Sequence, residues 1–264
     1  MGVLNVTPDS FSDGGRFLRL EDAVARGLRM AEEGAAIIDV GGESTRPGAE
    51  SVGVEEELRR VIPVIARLRS RTRVIISVDT SKPEVMRAAA TGGAGMINDV
   101  RALREPGALE AAVASGCAVC LMHMLGEPRT MQAAPRYADV VSEVRQFLAE
   151  RVETCRAAGL PPERMVLDPG FGFGKTLEHN LELLRRLREL SVKGLPILAG
   201  LSRKSMVGAL TGRPAGERVH GSVALAVVAA LNGARILRVH DVAATVDALK
   251  VVAAVAGAAV AHGG

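Results

Sequence analysis

Short apolar runs recur along the chain, and nearly every run ends in a polar or charged residue. Eight such runs end at Asn5, Asp39, Asp79, Asp99, His123, Asp168, Ser202 and His240. Runs this short and this apolar are typical of strands that are buried on both faces of a parallel sheet. Because ligands bind beyond the carboxyl ends of such strands, the pattern predicts both a fold class and the face that carries the function.

Helical patterns separate these runs. The predicted helices cover 21–33, 54–70, 82–91, 105–115, 138–158, 177–190, 216–232 and 242–259. Strand and helix alternate about eight times without a linker, which predicts a single (β/α)8 TIM barrel over residues 1–264, with its active site at the C-terminal face of the strands. An open doubly wound sheet is the alternative. The lack of a G-x-G-x-x-G segment after the first strand counts against it.

Composition narrows the class of protein. Hydrophobic residues make up 48% of the 264 residues but aromatic residues only 2%, so the core must be aliphatic. A net charge of +3 without a Lys/Arg run does not indicate a nucleic-acid partner. The sequence has no signal pattern and no membrane-spanning run, so we expect a cytoplasmic protein without a membrane partner.

Cysteine usage indicates neither a disulfide framework nor a metal centre. The chain has three cysteines, an odd number. Cys117 and Cys120 have C-x-x-C spacing but lie in an apolar run, where residues three apart face opposite sides of a strand. We therefore interpret both as buried strand residues.

Polar residues at the strand ends are the candidates for chemistry. Asn5 offers a neutral oxygen that suits Mg²⁺, although a loop-capping role is the alternative. Arg46, in the second loop, could bind a carboxylate or phosphate, or could be solvated. Asp79, Asn98 and Asp168 end three strands and could form a metal site, an acid/base set or a hydrogen-bonding frame for a heterocycle. Each of these three could alternatively cap a helix.

The later loops add glycine, aromatic rings and cations. The segment 168–175 alternates Gly with Phe171 and Phe173, and these rings could contact a flat substrate or merely hold loops in place. Arg238 and His240 are two residues apart, so they should face one side and bind an anion. Lys204 follows the seventh strand, where barrels often bind phosphate, and could alternatively form a Schiff base.

Taken together, these motifs resemble the dihydropteroate synthase family, the folate-pathway enzymes that sulfonamides inhibit. The resemblance rests on segments in family order at 4–15, 39–48, 77–83, 97–100, 122–124, 168–175, 202–205 and 238–241. It implies a transferase that joins 6-hydroxymethyl-7,8-dihydropterin diphosphate to 4-aminobenzoate, requires Mg²⁺ and is usually a homodimer. The Ala/Val-rich helices 216–232 and 242–259 are candidates for the dimer interface, and ordinary packing against the barrel is the alternative for them.

The resemblance also implies roles for individual residues. Those expected to bind the pterin diphosphate are Thr45, Asp79, Asn98, Val100, Met122, Asp168, Lys204, Arg238 and His240. Those expected to bind 4-aminobenzoate are Phe11, Thr45, Arg46, Pro47, Phe173 and Ser202. Those expected to be catalytic are Lys204, Asp13, Arg46, Arg238 and His240, and the residue expected to bind Mg²⁺ is Asn5.

The implied mechanism is dissociative. Diphosphate leaves first, Asp13 stabilises the cationic pterinylmethyl carbon, and the amine then attacks. Asp39 and His123 are expected to support loops rather than to touch substrate. Two alternatives are a pterin-binding methyltransferase domain and a non-catalytic pterin-binding module.

Overall fold

The chain folds into a closed barrel of eight parallel strands. The computed structural model describes residues 1–7, 16–44, 51–126, 131 and 134–256, without the side chains of 16–19. The strands pair in chain order: β1 Gly2–Asn5, β2 Ile37–Gly41, β3 Ile75–Asp79, β4 Met96–Asp99, β5 Ala118–Met122, β6 Met165–Asp168, β7 Ile197–Ala199 and β8 Ala234–Leu237. Val239 closes the barrel: its carbonyl accepts from the Val3 N–H (2.9 Å), and its own N–H donates to the Met1 carbonyl (2.9 Å). The predicted TIM barrel is confirmed.

Helices surround the sheet. Those within the described ranges are α1 Arg16–Glu32, α2 Val54–Arg71, α3 Pro83–Thr91, α4 Ala108–Ser115, α5 Val140–Ala157, α6 Leu177–Arg185, α7 Ser205–Thr211, α8 Val219–Leu231 and α9 Val242–Val255. The short helix α7 was not predicted. The helix predicted for 177–190 ends earlier as α6 and is followed by a 3₁₀ turn at Leu187–Leu190. In the part of the chain that the structure describes, no helix is long and apolar enough to cross a membrane.

Helix α5 illustrates how sequence pattern becomes packing. Asp139 caps its first turn by accepting hydrogen bonds from the N–H groups of Val141 (3.0 Å) and Ser142 (3.3 Å). The apolar residues at helical spacing, including Val144 and Leu148, are buried against the sheet. The stripe that predicted the helix is therefore also its contact with the barrel.

The interior of the barrel has a separate apolar layer. Met96, Cys120, Val166 and Leu198 pack together there, and we call them the lower layer. Cys117, three residues before Cys120, belongs instead to the large aliphatic core between sheet and helices. The two cysteines therefore lie on opposite sides of β5, as predicted, and both are buried thiols.

Candidate active site

Two residues further along the strands, the barrel interior becomes polar. We call Asp39, Asp79, Asn98, Asp168 and Arg238 the upper layer. Asn98 follows Met96 and Asp168 follows Val166 by two residues, so alternation places each polar residue on the inner face above an apolar one. The three carboxylates and the amide of the upper layer are buried. Polar side chains from five strand ends therefore meet at the barrel mouth.

Arg238 links two carboxylates of this layer. Its Nε donates to Oδ2 of Asp39 (2.7 Å), and its Nη2 donates to Oδ2 of Asp79 (2.7 Å). Nδ2 of Asn98 donates to the same Asp39 oxygen (3.0 Å). Arg238 is therefore held at the mouth by strands β2 and β3, and two of its nitrogens are already hydrogen-bonded to protein.

Burial shifts the protonation of this layer. It raises the pKa of Asp79 to about 7, although the nearby Arg238 guanidinium acts in the opposite direction. Burial also raises the pKa of Asp168, opposed by Lys204 and by the Gly170 N–H, which donates to Oδ1 of Asp168 (2.7 Å). Burial lowers the pKa of Arg238, but the carboxylates of Asp39 and Asp79 outweigh it and the net shift is upward.

Lys204 reaches the same region from the loop that follows β7. Burial lowers its pKa to about 8, partly offset by the carboxylate of Asp168. Its Nζ donates to the Phe171 carbonyl and lies 4.7 Å from the centre of the Phe173 ring. This ammonium group therefore lies between an aromatic surface and the polar upper layer.

An apolar wall flanks the polar centre. Val100, Met122, Met124 and Met131 form a buried cluster, and Phe173 packs against it. The sequence predicted Val100 and Met122 as pocket walls and Phe173 as a substrate contact, and the structure brings these three residues together. A flat ring could therefore stack against this wall while its edge faces the carboxylates.

In the loop after β6, two positions must be glycine because the backbone of the loop after β5 lies too close for a side chain. A Cβ on Gly170 (φ +70°) would lie 1.9 Å from the His123 carbonyl oxygen, and one on Gly174 (φ +64°) would lie 2.5 Å from that of Leu125. Phe171 is fully buried in the aliphatic core. Of the two alternatives left open for Phe171, the structure therefore favours the one in which its ring holds the loop in place against the core.

The buried ammonium group of Lys175 holds the loop after β6 in place. Its Nζ lies 2.9 Å from Nδ1 of His123 and 3.0 Å from the carbonyl oxygens of both Gly170 and Phe173. Burial, together with the charge of Lys175, lowers the pKa of His123 to about 2. The ring is therefore neutral and Nδ1 accepts. As expected, His123 supports a loop, although it is the loop after β6 rather than its own.

Three further predicted residues lie around the mouth. Oδ1 of Asn5 lies 3.6 Å, and Oδ2 of Asp79 lies 3.8 Å, from the position that a Cβ would take on Gly41. Ser202 is buried, and its Oγ accepts from the backbone N–H of His240 (3.2 Å) and lies 3.1 Å from Nδ1 of the same residue. Ser202 therefore orients His240.

The remaining predicted site residues lie outside the described residues; these are Phe11, Asp13, Thr45, Arg46 and Pro47. The sequence did not assign a role in the site to two residues that hold other parts of the mouth in place, Asp39 and Lys175. Asp39 could have been recognised, because it stands two residues after Ile37 on an inward-facing position, as Asn98 does after Met96. For Lys175 the sequence carries no such signal.

A closed barrel with a buried, charged mouth and an adjoining apolar wall defines a TIM-barrel enzyme that binds small polar molecules. A family model described as pterin binding enzyme matches residues 1–240. Dihydropteroate synthase from Escherichia coli (strain K12) is 59% identical over 254 residues, which cover 96% of this chain and 90% of that protein. The chain belongs to the dihydropteroate synthase family of pterin-binding enzymes.

Solved structures agree with this assignment. Dihydropteroate synthase from Xanthomonas albilineans with 4-aminobenzoic acid superposes with a TM-score of 0.93 at 59% identity, and the match covers 98% of this chain and 93% of that one. The structure from the same organism in complex with 7,8-dihydropteroate gives a TM-score of 0.89 at 56% identity, with 98% and 94% covered. The similarity thus extends over nearly the whole barrel.

Proposed function

We propose that the barrel mouth joins 6-hydroxymethyl-7,8-dihydropterin diphosphate to 4-aminobenzoate, giving 7,8-dihydropteroate and diphosphate. The observation that carries the proposal is the upper layer itself, where Asp168, Asn98 and Asp79 meet beside the apolar wall. A carboxylate can accept two adjacent N–H donors, which a pterin ring edge presents. The relatives bound to 4-aminobenzoic acid and to 7,8-dihydropteroate support both ends of this reaction.

The residues of the mouth divide between the two substrates. Asp168, Asn98 and Asp79 frame the pterin edge, and Val100 and Met122 contact its face. Lys204 lies between Phe173 and the carboxylates, where it borders both substrates. Phe173 and Ser202, with Phe11, Thr45, Arg46 and Pro47 from the two preceding loops, form the 4-aminobenzoate side. Thr45 also borders the pterin diphosphate.

The reaction is dissociative. The bond between the methylene carbon and the diphosphate oxygen breaks, and its electron pair leaves with the diphosphate. The positive charge on the carbon spreads into the pterin ring and is stabilised by Asp13. The amine lone pair then forms the C–N bond, and the nitrogen loses a proton to water. Arg46, Arg238 and Lys204 are the cations that stabilise the negative charge of the substrates and of diphosphate, and His240 is an additional hydrogen-bonding group for the anion.

The assay for this proposal is diphosphate release from the dihydropterin diphosphate, with and without 4-aminobenzoate. We expect steady release only with the amine, preceded by a burst of C–O cleavage. A lack of amine-dependent product would reject the synthase reaction and favour a non-catalytic pterin-binding module. A cleavage rate that tracks the basicity of the amine would instead reject the dissociative order.

A Mg²⁺ requirement is part of the proposal. The side chain of Asn5 presents a neutral oxygen at the mouth, and among the described residues no group of three His, Cys, Asp or Glu side chains could hold a metal alone. That donor set fits Mg²⁺ that is bound mainly by water and substrate phosphate oxygens. Bound Mg²⁺ would neutralise charge on the diphosphate. We expect Asn5→Ala to weaken Mg²⁺-dependent diphosphate binding, measured by calorimetry, and to leave binding of the free pterin largely intact.

We also propose a homodimer formed through α8 and α9. Leu231, Val251 and Val255 are 52%, 64% and 85% exposed on these helices, and exposed apolar clusters are typical of interfaces. Light scattering should give a dimer mass that Val251→Lys halves. A dimer that persists in this variant would place the interface elsewhere.

We assign the enzyme to the cytoplasm. All three cysteines are unpaired thiols, which is typical of a reducing compartment. Recovery of the enzyme in the cytoplasmic fraction of its host would support this location, and recovery in an extracellular fraction would contradict it.

A further inference from the structure

The side-chain hydrogen bonds that the described residues make to Asp39 come from the upper layer. Asp39 is fully buried, and its Oδ2 accepts from both Asn98 and Arg238. Its Oδ1 is also buried and has no hydrogen-bond partner among the residues that the structure describes. Neither oxygen reaches the open side of the mouth. Any effect of Asp39 on the substrate must therefore pass through its neighbours.

The neighbour most affected is Asn98, because the two ends of an amide differ chemically. Nδ2 donates to Asp39, 3.0 Å away. Turning the amide by half a rotation would place its Oδ1 against Oδ2 of Asp39, so that two buried acceptors would face each other without a proton between them. Asp39 thus keeps Nδ2 of Asn98 turned toward Asp39. Among the described donors, none reaches Oδ1 of Asn98, so this acceptor is available to a ligand.

We infer that Asp39 is a positioning residue that fixes Oδ1 of Asn98 as an acceptor toward the ring, and thereby makes the site select a 2-amino ring over a 2-oxo ring. This inference rests on the proposed function, since it assumes that a pterin occupies the mouth. An amino group donates to the fixed carbonyl of Asn98. A 2-oxo group would instead meet that carbonyl acceptor to acceptor, with no proton between them.

The test compares binding of two probes, 6-hydroxymethyl-7,8-dihydropterin and its 2-oxo analogue, 6-hydroxymethyl-7,8-dihydrolumazine. The variant is Asp39→Asn, which keeps the shape of the side chain but lets residue 39 present either a donor or an acceptor to Asn98. Wild-type enzyme should prefer the amino ring, and the ratio of the two dissociation constants should fall about tenfold in the variant. Glu57→Gln is the matched control: Glu57 is also fully buried and pairs with Lys82, and it has no hydrogen bond to Asp39 or Asn98 among the described contacts. Its ratio should equal that of the wild type, even if its stability falls.

Asn98→Ala separates orientation from folding. It removes the oriented carbonyl, so its ratio should fall about as far as that of Asp39→Asn, and the double variant should show no further fall because the two residues act in series. If Asp39→Asn does not fold, an unchanged ratio in Asn98→Ala overturns the inference, as does an unchanged ratio in folded Asp39→Asn. Wild-type enzyme that binds neither probe would instead reject the proposed function.

Discussion

The two layers inside the barrel meet on strands β4 and β6, where Met96 and Val166 of the lower layer stand two residues before Asn98 and Asp168 of the upper layer, yet the layers differ in chemistry. The lower layer of Met96, Cys120, Val166 and Leu198 is apolar, whereas the upper layer contains three buried carboxylates, an amide and a guanidinium. Burying charge costs folding free energy, and burying aliphatic groups supplies it. Along one strand, a residue that stabilises the fold can therefore stand only two positions before a residue that determines which ligand binds.

The largest expected effect is on activity, in the upper layer. Asp168→Asn removes a carboxylate that can accept two pterin N–H donors, so kcat/KM should fall about 10³-fold. Its free energy of unfolding should fall only modestly, because Asn keeps the shape of the side chain and an acceptor for the Gly170 N–H, while Lys204 loses a compensating carboxylate. Steady-state kinetics and urea unfolding on one preparation measure both. A large loss of stability with little loss of activity would reverse the assignment of this layer.

In the lower layer the expected effect is on stability. Leu198→Ala should lower the free energy of unfolding by about 3 kcal/mol, since it leaves a cavity in a fully buried cluster. At a temperature where the variant remains folded, its KM for both substrates should match the wild-type value. A KM that rises severalfold would show that the two layers are mechanically coupled.

The third expected effect is a pH dependence of the folding stability, which arises from the upper layer. The pKa of Asp79 is raised to about 7 from an ordinary value of 3.8. Between these two pH values the folded state therefore keeps a proton on Asp79 that the unfolded state has lost. Its contribution to stability is complete below about pH 4 and is lost as the pH rises through 7, with an expected loss of about 2 kcal/mol. Urea unfolding at pH 4.5 and 7.5 should show this loss, and Asp79→Asn should reduce it. An equal loss in the variant would assign the pH effect to another group.

The smallest effect concerns the thiol of the lower layer. Burial raises the pKa of Cys120 well above its ordinary value, so a thiol reagent should not label it in the native protein at neutral pH. Cys120→Ala should cost about 1 kcal/mol of stability, because little volume is removed. Rapid native labelling at Cys120, identified by peptide mass, would show that the lower layer opens to solvent.

Sequence alone predicted the barrel and much of its mouth, because both depend on local alternation along each strand. Asp79, Asn98 and Asp168 could be predicted to converge since each ends a parallel strand. The inward position of Asp39 follows from the same alternation, but its hydrogen-bond partners and the role of Lys175 could not be predicted, because their partners come from distant strands and loops and sequence spacing does not report which atoms face each other. The two alternatives for Phe171 could not be separated from the sequence for a related reason: a ring in a glycine-rich loop can point to the core or to the ligand.

The close approach of Gly170 and Gly174 to the carbonyls of His123 and Leu125 constrains how this enzyme can evolve. Any side chain at either glycine would collide with the backbone of the adjoining loop, so the two loops must change together or not at all. In a library of random substitutions, we expect both positions to tolerate almost nothing. Variation that alters substrate or inhibitor preference should therefore accumulate in loops that are not joined in this way.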